Sequence, residues 1–346
     1  MAATGKYIYG IVPNFYSTDM FRLLENTGVY AIPFQNISAI VSDVEIEHLD
    51  YSNKESLVQQ LITHQKNIEK IMAIGFNMVL PMKLGTIVGS KEEVAKILNC
   101  GKDLIVKSLE EIEYLTEIDV AVTWADFPET LMSIANHPEI KALKEDVLNS
   151  DTTITKIDQV KVGMLIQEKL EKNNKIVELK IIDSLSPLVA DINMHEVMND
   201  QMITNSAFLI NRSNTEKFEM VIEQIDEEFN GTLNFKLVGP LPCYSFYTIE
   251  VDVLDPNKID QAKNDLGLGE FTMENEIKKA YLEKARMFHP DTNFNNDDKE
   301  NFDQINKAYH ILLNYCASFR QYSKEDLISL KKETVIENLI LVKIRK

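Results

Sequence analysis

His289, Pro290 and Asp291 set an imidazole, a stiff backbone unit and a carboxylate side by side. Proline fixes the backbone of such a tripeptide, and the carboxylate can make a charge-assisted hydrogen bond to a cation on another protein. That is chemistry for docking. Other reactive types are scattered. The remaining histidines, His48, His64, His137, His195 and His310, show no HExxH or paired spacing, so no metal site is expected. Cys100, Cys243 and Cys316 have no CxxC spacing and read as small buried residues, without a disulfide framework. No GxGxxG, GxxxxGK[ST] or GxSxG string occurs, and the acid pairs Glu110-Glu111 and Glu227-Glu228 read as solvated helix faces. No catalytic residue, metal or cofactor is expected, and the chain reads as a non-enzyme.

Two helices must hold the tripeptide. Thr272 caps the first, Glu274 and Glu276 sit in its first turn where the dipole favours acids, and Ile277, Ala280, Tyr281, Ala285 and Phe288 form its apolar side. It ends before Pro290, because a residue preceding proline is pushed out of the α region. After a polar loop over 292–300, Phe302, Ile305, Tyr309, Leu312, Cys316 and Phe319 recur at the three- and four-residue spacing of a coiled-coil seam. Two such helices pack as an antiparallel pair.

From Leu266 to Leu312 the sequence resembles the J-domain of DnaJ-type co-chaperones. The resemblance lies in Leu266-Gly-Leu268, Glu276-Ile-Lys-Lys-Ala-Tyr281, His289-Pro-Asp-Thr-Asn293 and Phe302-Asp-Gln-Ile-Asn-Lys-Ala-Tyr309. It implies that the loop docks on a DnaK-type ATPase and stimulates ATP hydrolysis there, with Lys278, Lys279, Tyr281, His289, Pro290, Asp291 and Phe302 forming or supporting the docking face. Leu282 and Glu283 replace two usual basic residues, Met287 replaces a lysine, and Ala262 and Lys263 stand where aromatics are expected. Lys278, Lys279, Lys284 and Arg286 keep some positive charge, but electrostatic steering is expected to be weaker than is usual for a J-domain.

The longer front part alternates strand and helix signals. Residues 6–12, 29–34 and 39–44 are rich in Tyr, Ile and Val between turn residues. A half-buried helix follows, with Leu57, Leu61, Ile68, Ile71 and Met72, stopped by Gly75. Residues 78–88 read as a strand with a proline kink, 91–113 as a helix and 118–124 as a strand. A helical stretch then offers N-caps over 151–154, continues through Ile157, Val162, Leu165, Ile166 and Leu170, and ends at Pro187. Beyond it come a strand (203–210), a helix (215–229), an Asn230-Gly231 turn, a strand (232–238) and a strand over 245–253. The expected class is α+β.

Residues 1 to about 255 resemble the gas vesicle protein GvpL/GvpF family. Tyr7-Ile-Tyr-Gly-Ile-Val12, Ala39-Ile-Val-Ser42, Val79-Leu-Pro-Met-Lys-Leu-Gly-Thr86, Val120-Ala-Val-Thr-Trp124, Asn205-Ser-Ala-Phe-Leu209 and Gly239-Pro-Leu-Pro-Cys-Tyr-Ser-Phe246 occur in the family's order. Leu84 replaces a usual Phe, and Cys243 interrupts the usual proline pair. The resemblance implies two ferredoxin-like α+β domains joined by helices, and an accessory role in building the protein-walled gas vesicle by binding its hydrophobic shell protein. The expected organisation is a first ferredoxin-like domain over 1–125, a helical connector over 126–195, a second α+β part over 196–256, a J-domain over 257–322 and a tail over 323–346. Pro81, Lys83, Gly85 and Thr86 are candidate contacts for the shell subunit, since Pro81 and Gly85 interrupt strand pairing and Lys83 is a charge in an apolar run. A solvated edge strand accounts for them equally well.

Fifty-four acids against 36 bases give a net charge of -18, which repels phosphate backbones and argues against nucleic acid or anionic lipid as partners. No apolar run spans a bilayer, and the start lacks a secretory signal pattern, so a cytoplasmic, gas-vesicle-associated location is expected. The expected partners are the shell protein, a DnaK-type chaperone and other gas vesicle accessory proteins. A general J-domain co-chaperone and a minor structural component of the vesicle are the alternatives. The tail opens with a Ser323-x-x-Asp326 cap and ends in apolar Leu339-Ile-Leu-Val342, which is expected to pack back on the J-domain or the second α+β part; a strand that binds a partner is the alternative.

Overall fold

The structure, a computed structural model, describes residues 4–45, 54–149, 155–288, 296–323 and 325–346. His289, Pro290 and Asp291 lie outside the described residues, as do the N-caps expected over 151–154. Two compact units form: residues 1–110 with 247–346, and residues 111–246.

The first unit opens with β1 (Thr4–Pro13), α1 (Thr18–Glu25), β2 (Tyr30–Phe34), β3 (Ile37–Glu45), α2 (Lys54–Ile74), β4 (Leu80–Pro81), β5 (Ile87–Val88) and α3 (Lys91–Glu111). Its antiparallel sheet runs β2-β3-β1-β4, and β5 also pairs with β1. Ile8, Ile11, Val12, Ala39, Ile40 and Val41 are fully buried at its centre. Ile68 and Ile71 of α2 are buried as their helical spacing requires, whereas Leu61 is exposed. Helix α3 buries Val94, Ile97, Leu98, Gly101, Ile105 and Leu109, a stripe of period 3.6. The stretch 78–88 is two short strands around a turn rather than one kinked strand. Gly85 explains this: its φ of 81° is a turn conformation that side chains resist.

The second unit comprises β6 (Leu115–Trp124), α4 (Phe127–Ala135), α5 (Pro138–Asn149), α6 (Lys156–Leu185), β7 (Val189–Met194), β8 (Met202–Asn211), α7 (Thr215–Glu228) and β9 (Leu233–Leu241). Its sheet runs β7-β8-β6-β9. In both units the strands arrange as second, third, first, fourth, with helices between the first and second and between the third and fourth. The second core gathers Val120, Val122, Ile181, Leu185, Phe208, Ile210 and Phe218. Strand 118–124, read as the end of the first domain, is one of the two interior strands of this second sheet. The stretch 126–195, read as a helical connector, ends in β7.

The chain then re-enters the first unit with β10 (Thr248–Val253), α8 (Pro256–Leu266), β11 (Phe271–Thr272), α9 (Glu274–Met287), α10 (Asn296–Tyr322), β12 (Ile328–Ser329), α11 (Lys332–Glu337) and β13 (Ile340–Arg345). Strand β10, expected to close the second α+β part, pairs instead with the tail strand β13, from Thr248↔Arg345 to Val253↔Ile340. Alternation reveals a strand but not its sheet, which is why sequence misplaced it. No helix begins at Ser323; Glu325 N–H bonds its Oγ, and the segment continues into β12. The three cysteines are buried and free, and burial pushes the thiols of Cys243 and Cys316 up to about 12.

Candidate functional site

Helices α8, α9 and α10 surround a core of Ile259, Ala262, Leu266, Ile277, Ile305, Ala308, Leu312 and Cys316. Asp255 caps α8 by accepting from Asn257 N–H with Pro256 in the first turn, and Gly267 closes it in the left-handed conformation. Glu276 reaches back to the Met273 N–H at 2.9 Å and fixes the start of α9. Ala262, which replaces an expected aromatic, is simply a small core residue.

Tyr281 is a pin between helices. Its ring stacks on Tyr309 at 4.3 Å, and its hydroxyl donates to Asn306 Oδ1 at 2.7 Å. Lys278 and Lys279 project outward from α9, and Phe302 is half-buried on α10. Lys284 does not contribute to the outward charge: its Nζ donates to the Asp265 carbonyl at 2.6 Å, at the C-terminal end of α8 where a cation is favoured. The outward basic groups of α9 are therefore Lys278, Lys279 and Arg286, interrupted by exposed Leu282, Glu283 and Met287. Beside Lys278 a cavity of about 530 Å³ lies against Tyr309, the Arg320–Glu274 ion pair (2.5 Å) and Asp326. The structure thus brings Lys278, Lys279, Tyr281 and Phe302 onto one helix pair; the tripeptide that follows α9 lies outside the described residues.

The segment from Pro81 to Thr86 is built into the first sheet. Pro81 is buried in β4 opposite Gly10. Lys83 donates its N–H to the Ile249 carbonyl at 2.8 Å, and its Nζ lies 3.3 Å from Glu250 Oε1. Gly85 N–H donates to the Tyr7 hydroxyl at 3.1 Å, and that hydroxyl also bonds His64 Nδ1 at 2.9 Å. Thr86 closes the turn, donating its hydroxyl to the Lys83 carbonyl at 2.6 Å. The conformation is fixed by these bonds, while Lys83, Gly85 and Thr86 line a cleft of about 560 Å³ with Val251, Val253 and Ile340.

One group in the second unit gives no sequence signal. Glu117 is buried and accepts from Ser245 N–H at 2.8 Å and from its hydroxyl at 2.9 Å, across 128 residues of chain. Burial raises the Glu117 carboxyl, the nearby Asp119 charge adds to this, and the Ser245 N–H opposes it. Asp119 is raised by its own burial. The Ser245 hydroxyl also lies 3.3 Å from His195 Nε2. The pair ties β6 to the segment after β9; no local spacing brings Glu117 and Ser245 together.

Comparison with known proteins divides the chain after residue 248, so that the first match spans both compact units and the second lies within the first unit. Residues 5–248 match the family model of gas vesicle synthesis protein GvpL/GvpF, and residues 264–317 match the DnaJ domain. Gas vesicle protein F of Nostoc sp. strain PCC 7120 is 24% identical over 249 residues, 71% of this chain and 99% of that protein. The protein of the same name from Dolichospermum flosaquae is 24% identical over 70% of this chain and 98% of its own. Chaperone protein DnaJ 1 of Aquifex aeolicus is 44% identical over 48 residues, 14% of this chain and 13% of that one. The crystal structure of GvpF from Anabaena sp. PCC7120 superposes with a TM-score of 0.59 at 23% identity, over 70% of this chain and 97% of that one, which establishes a shared fold.

Proposed function

The chain belongs to the gas vesicle synthesis protein GvpL/GvpF family, and on that premise we propose that it is an assembly accessory: it holds the hydrophobic shell subunit and recruits a DnaK-type ATPase to it through the C-terminal J-domain. The observation that carries this reading is the placement of α8–α10 in the same compact unit as the first 110 residues, so that a holder and a recruiter act as one body. A subunit with exposed apolar strand edges aggregates unless it is covered. An acidic carrier stays soluble while covering it. The chain acts by binding, in the cytoplasm at the growing vesicle, and other accessory proteins of the vesicle are natural co-partners. Pro81 acts by shaping the turn, and Lys83, Gly85 and Thr86 by lining the cleft.

Two assays test this. Shell subunit diluted from denaturant is followed by light scattering with and without the full chain; delayed aggregation is expected, and no delay at a several-fold excess rejects the holder. ATP turnover by a DnaK-type ATPase is measured with the unaltered chain and with His289→Gln. Stimulation that the substitution abolishes is expected; equal rates reject the recruiter.

A further inference from the structure

The sheet of the first unit is open between β5 and β10. At one end the two strand lines are joined, by a parallel bridge between Met82 and Ile249 and the bond from Lys83 N–H to the Ile249 carbonyl. Past that bridge they part. Residues 82–86 stand opposite only Ile8 and Tyr9 of β1, so they loop out, and β5 and β10 leave the cleft of about 560 Å³ between them. Leu84 and Ile87 line one side, Val251 and Val253 the other, and α3 contributes Ile97 together with the charged Glu93 and Lys96.

The peptide groups decide what fits. Leu254 N–H bonds the Leu339 carbonyl and Ile249 bonds the opposite side, so alternation turns the N–H and C=O groups of Val251 and Val253 away from β13 and into the cleft. On the facing wall, Ile8 N–H bonds the Thr86 carbonyl, which turns the peptide groups of Ile87 away from β1 into the same space. Walls that both present strand hydrogen-bonding groups, flanked by apolar side chains, are matched by an extended chain. The other edge of β10 already holds such a ligand. Strand β13 is apolar with alternate cations, and Lys343 and Arg345 face Asp252 and Glu250 at 3.0 and 3.8 Å. The cleft is continuous with that pairing through Ile340.

We propose that the cleft is a strand-addition site and that its occupant is an extended apolar segment of the shell subunit, which would complete a continuous sheet from β2 to β13. The occupant rests on the holder reading above; the strand-addition mode rests on the cleft itself.

The test uses the full chain with shell subunit diluted from denaturant. Val253→Pro removes an N–H on the cleft side of a residue 77% exposed, leaving the β13 pairing intact, and Leu84→Asp charges the other wall at a residue 37% exposed. Each is expected to weaken holding about fivefold, the effect of one lost hydrogen bond or apolar contact, while Val238→Asp in the second unit does not. Hydrogen exchange on the unaltered chain needs no variant: the amides of Ile87, Val251 and Val253 are expected to gain protection when the subunit binds. Unchanged holding by both folded variants, or unchanged exchange at those amides while the chain still binds the subunit, overturns the cleft and leaves the holder standing. Absence of binding by the unaltered chain removes the holder and this occupant together.

Discussion

His64 is held neutral. Its ring is buried beside Tyr7 and Tyr9, Tyr7 bonds its Nδ1, and burial lowers its pKa from 6.5 to about 4. Between those values the unfolded chain takes up a proton that the folded chain refuses, so the stabilisation is complete above pH 6.5 and is lost as pH falls towards 4. His64→Gln should remove that part of the acid sensitivity, a difference of about 3 kcal/mol at most between pH 7 and pH 4, read from urea midpoints of both proteins. Because Tyr7 also receives the Gly85 N–H, the substitution should loosen the turn that shapes the cleft. Glu117 titrates with the opposite sign. Its carboxyl is raised from 4.5 to about 8, so the folded chain keeps a proton that the unfolded chain has released. Its contribution is complete below pH 4.5 and is lost as pH rises towards 8. Glu117→Gln keeps an acceptor for Ser245 and should flatten the decline in urea midpoint between pH 5 and pH 8. An unchanged slope would show that the carboxyl is already ionised at neutral pH.

Helix α9 shows how far an element could be read in advance. Its apolar side and its pairing with α10 follow from local spacing, and Ile277, Ile305, Leu312, Cys316 and Phe319 are buried as that spacing requires; its cap is Met273 rather than the expected Thr272, which is drawn into β11. Its usable charge did not follow, because Lys284 is consumed by the end of α8, a contact made only when the three helices close. The strands divide in the same way. Those of 6–12, 29–34 and 39–44 are short-range and β-rich, and were legible. The partner of β10 lies some 90 residues away in β13, and the membership of β6 in the second sheet depends on β8 and β9, neither of which leaves a local trace. Helix α6 departs for a further reason: its apolar residues are spread round the helix among many charged ones rather than gathered in one stripe, so Leu170 packs inward while Ile157 is 67% exposed. Of the candidate site, the residue types were legible, but not that residues 83–86 form a hydrogen-bonded turn on one wall of a cleft. The charge pattern of α9 carries its own prediction. Glu283→Lys, alone or with Leu282→Lys, should raise the association rate with a DnaK-type ATPase about tenfold at low salt, and the gain should vanish near 1 M salt. Stopped-flow binding across a salt series measures it; a salt-independent gain would mean packing rather than steering.

At the scale of the whole chain, the tail fastens the J-domain to the front of the first unit. Three sets of contacts converge on β13. Its ladder with β10 is one. From α10, the Gln321 amide both donates to the Val342 carbonyl and accepts the Val342 N–H, while Ser318 Oγ lies 2.7 and 2.9 Å from the carbonyls of Asn338 and Ile340. From α3, Gly101 leaves room for the Val342 side chain, since a Cβ there would stand 2.7 Å from its Cγ1. The helix pair is thus bound to the cleft-bearing sheet through a strand, not a flexible tether, and an ATPase engaging α9 would act on a body in fixed register with whatever the cleft holds. Removing residues 339–346 should therefore do two separable things. It uncovers β10 and withdraws buried Leu341 and Val342, each worth about 1.5–3 kcal/mol, so the chain should melt in two steps, with the front part of the first unit separating from the helices. The helices keep their own core of Ile259, Ile277, Ile305 and Leu312, so stimulation of the ATPase in free solution should survive. What should fail is the combined reaction, ATP-dependent release of held shell subunit, because the two activities no longer share a frame. Calorimetry, ATP turnover and release of labelled subunit, measured on the same truncated preparation, distinguish this from simple misfolding. Loss of all three would mean that the tail is needed to fold the protein at all. Survival of all three would mean that a loose tether serves as well as a bonded strand.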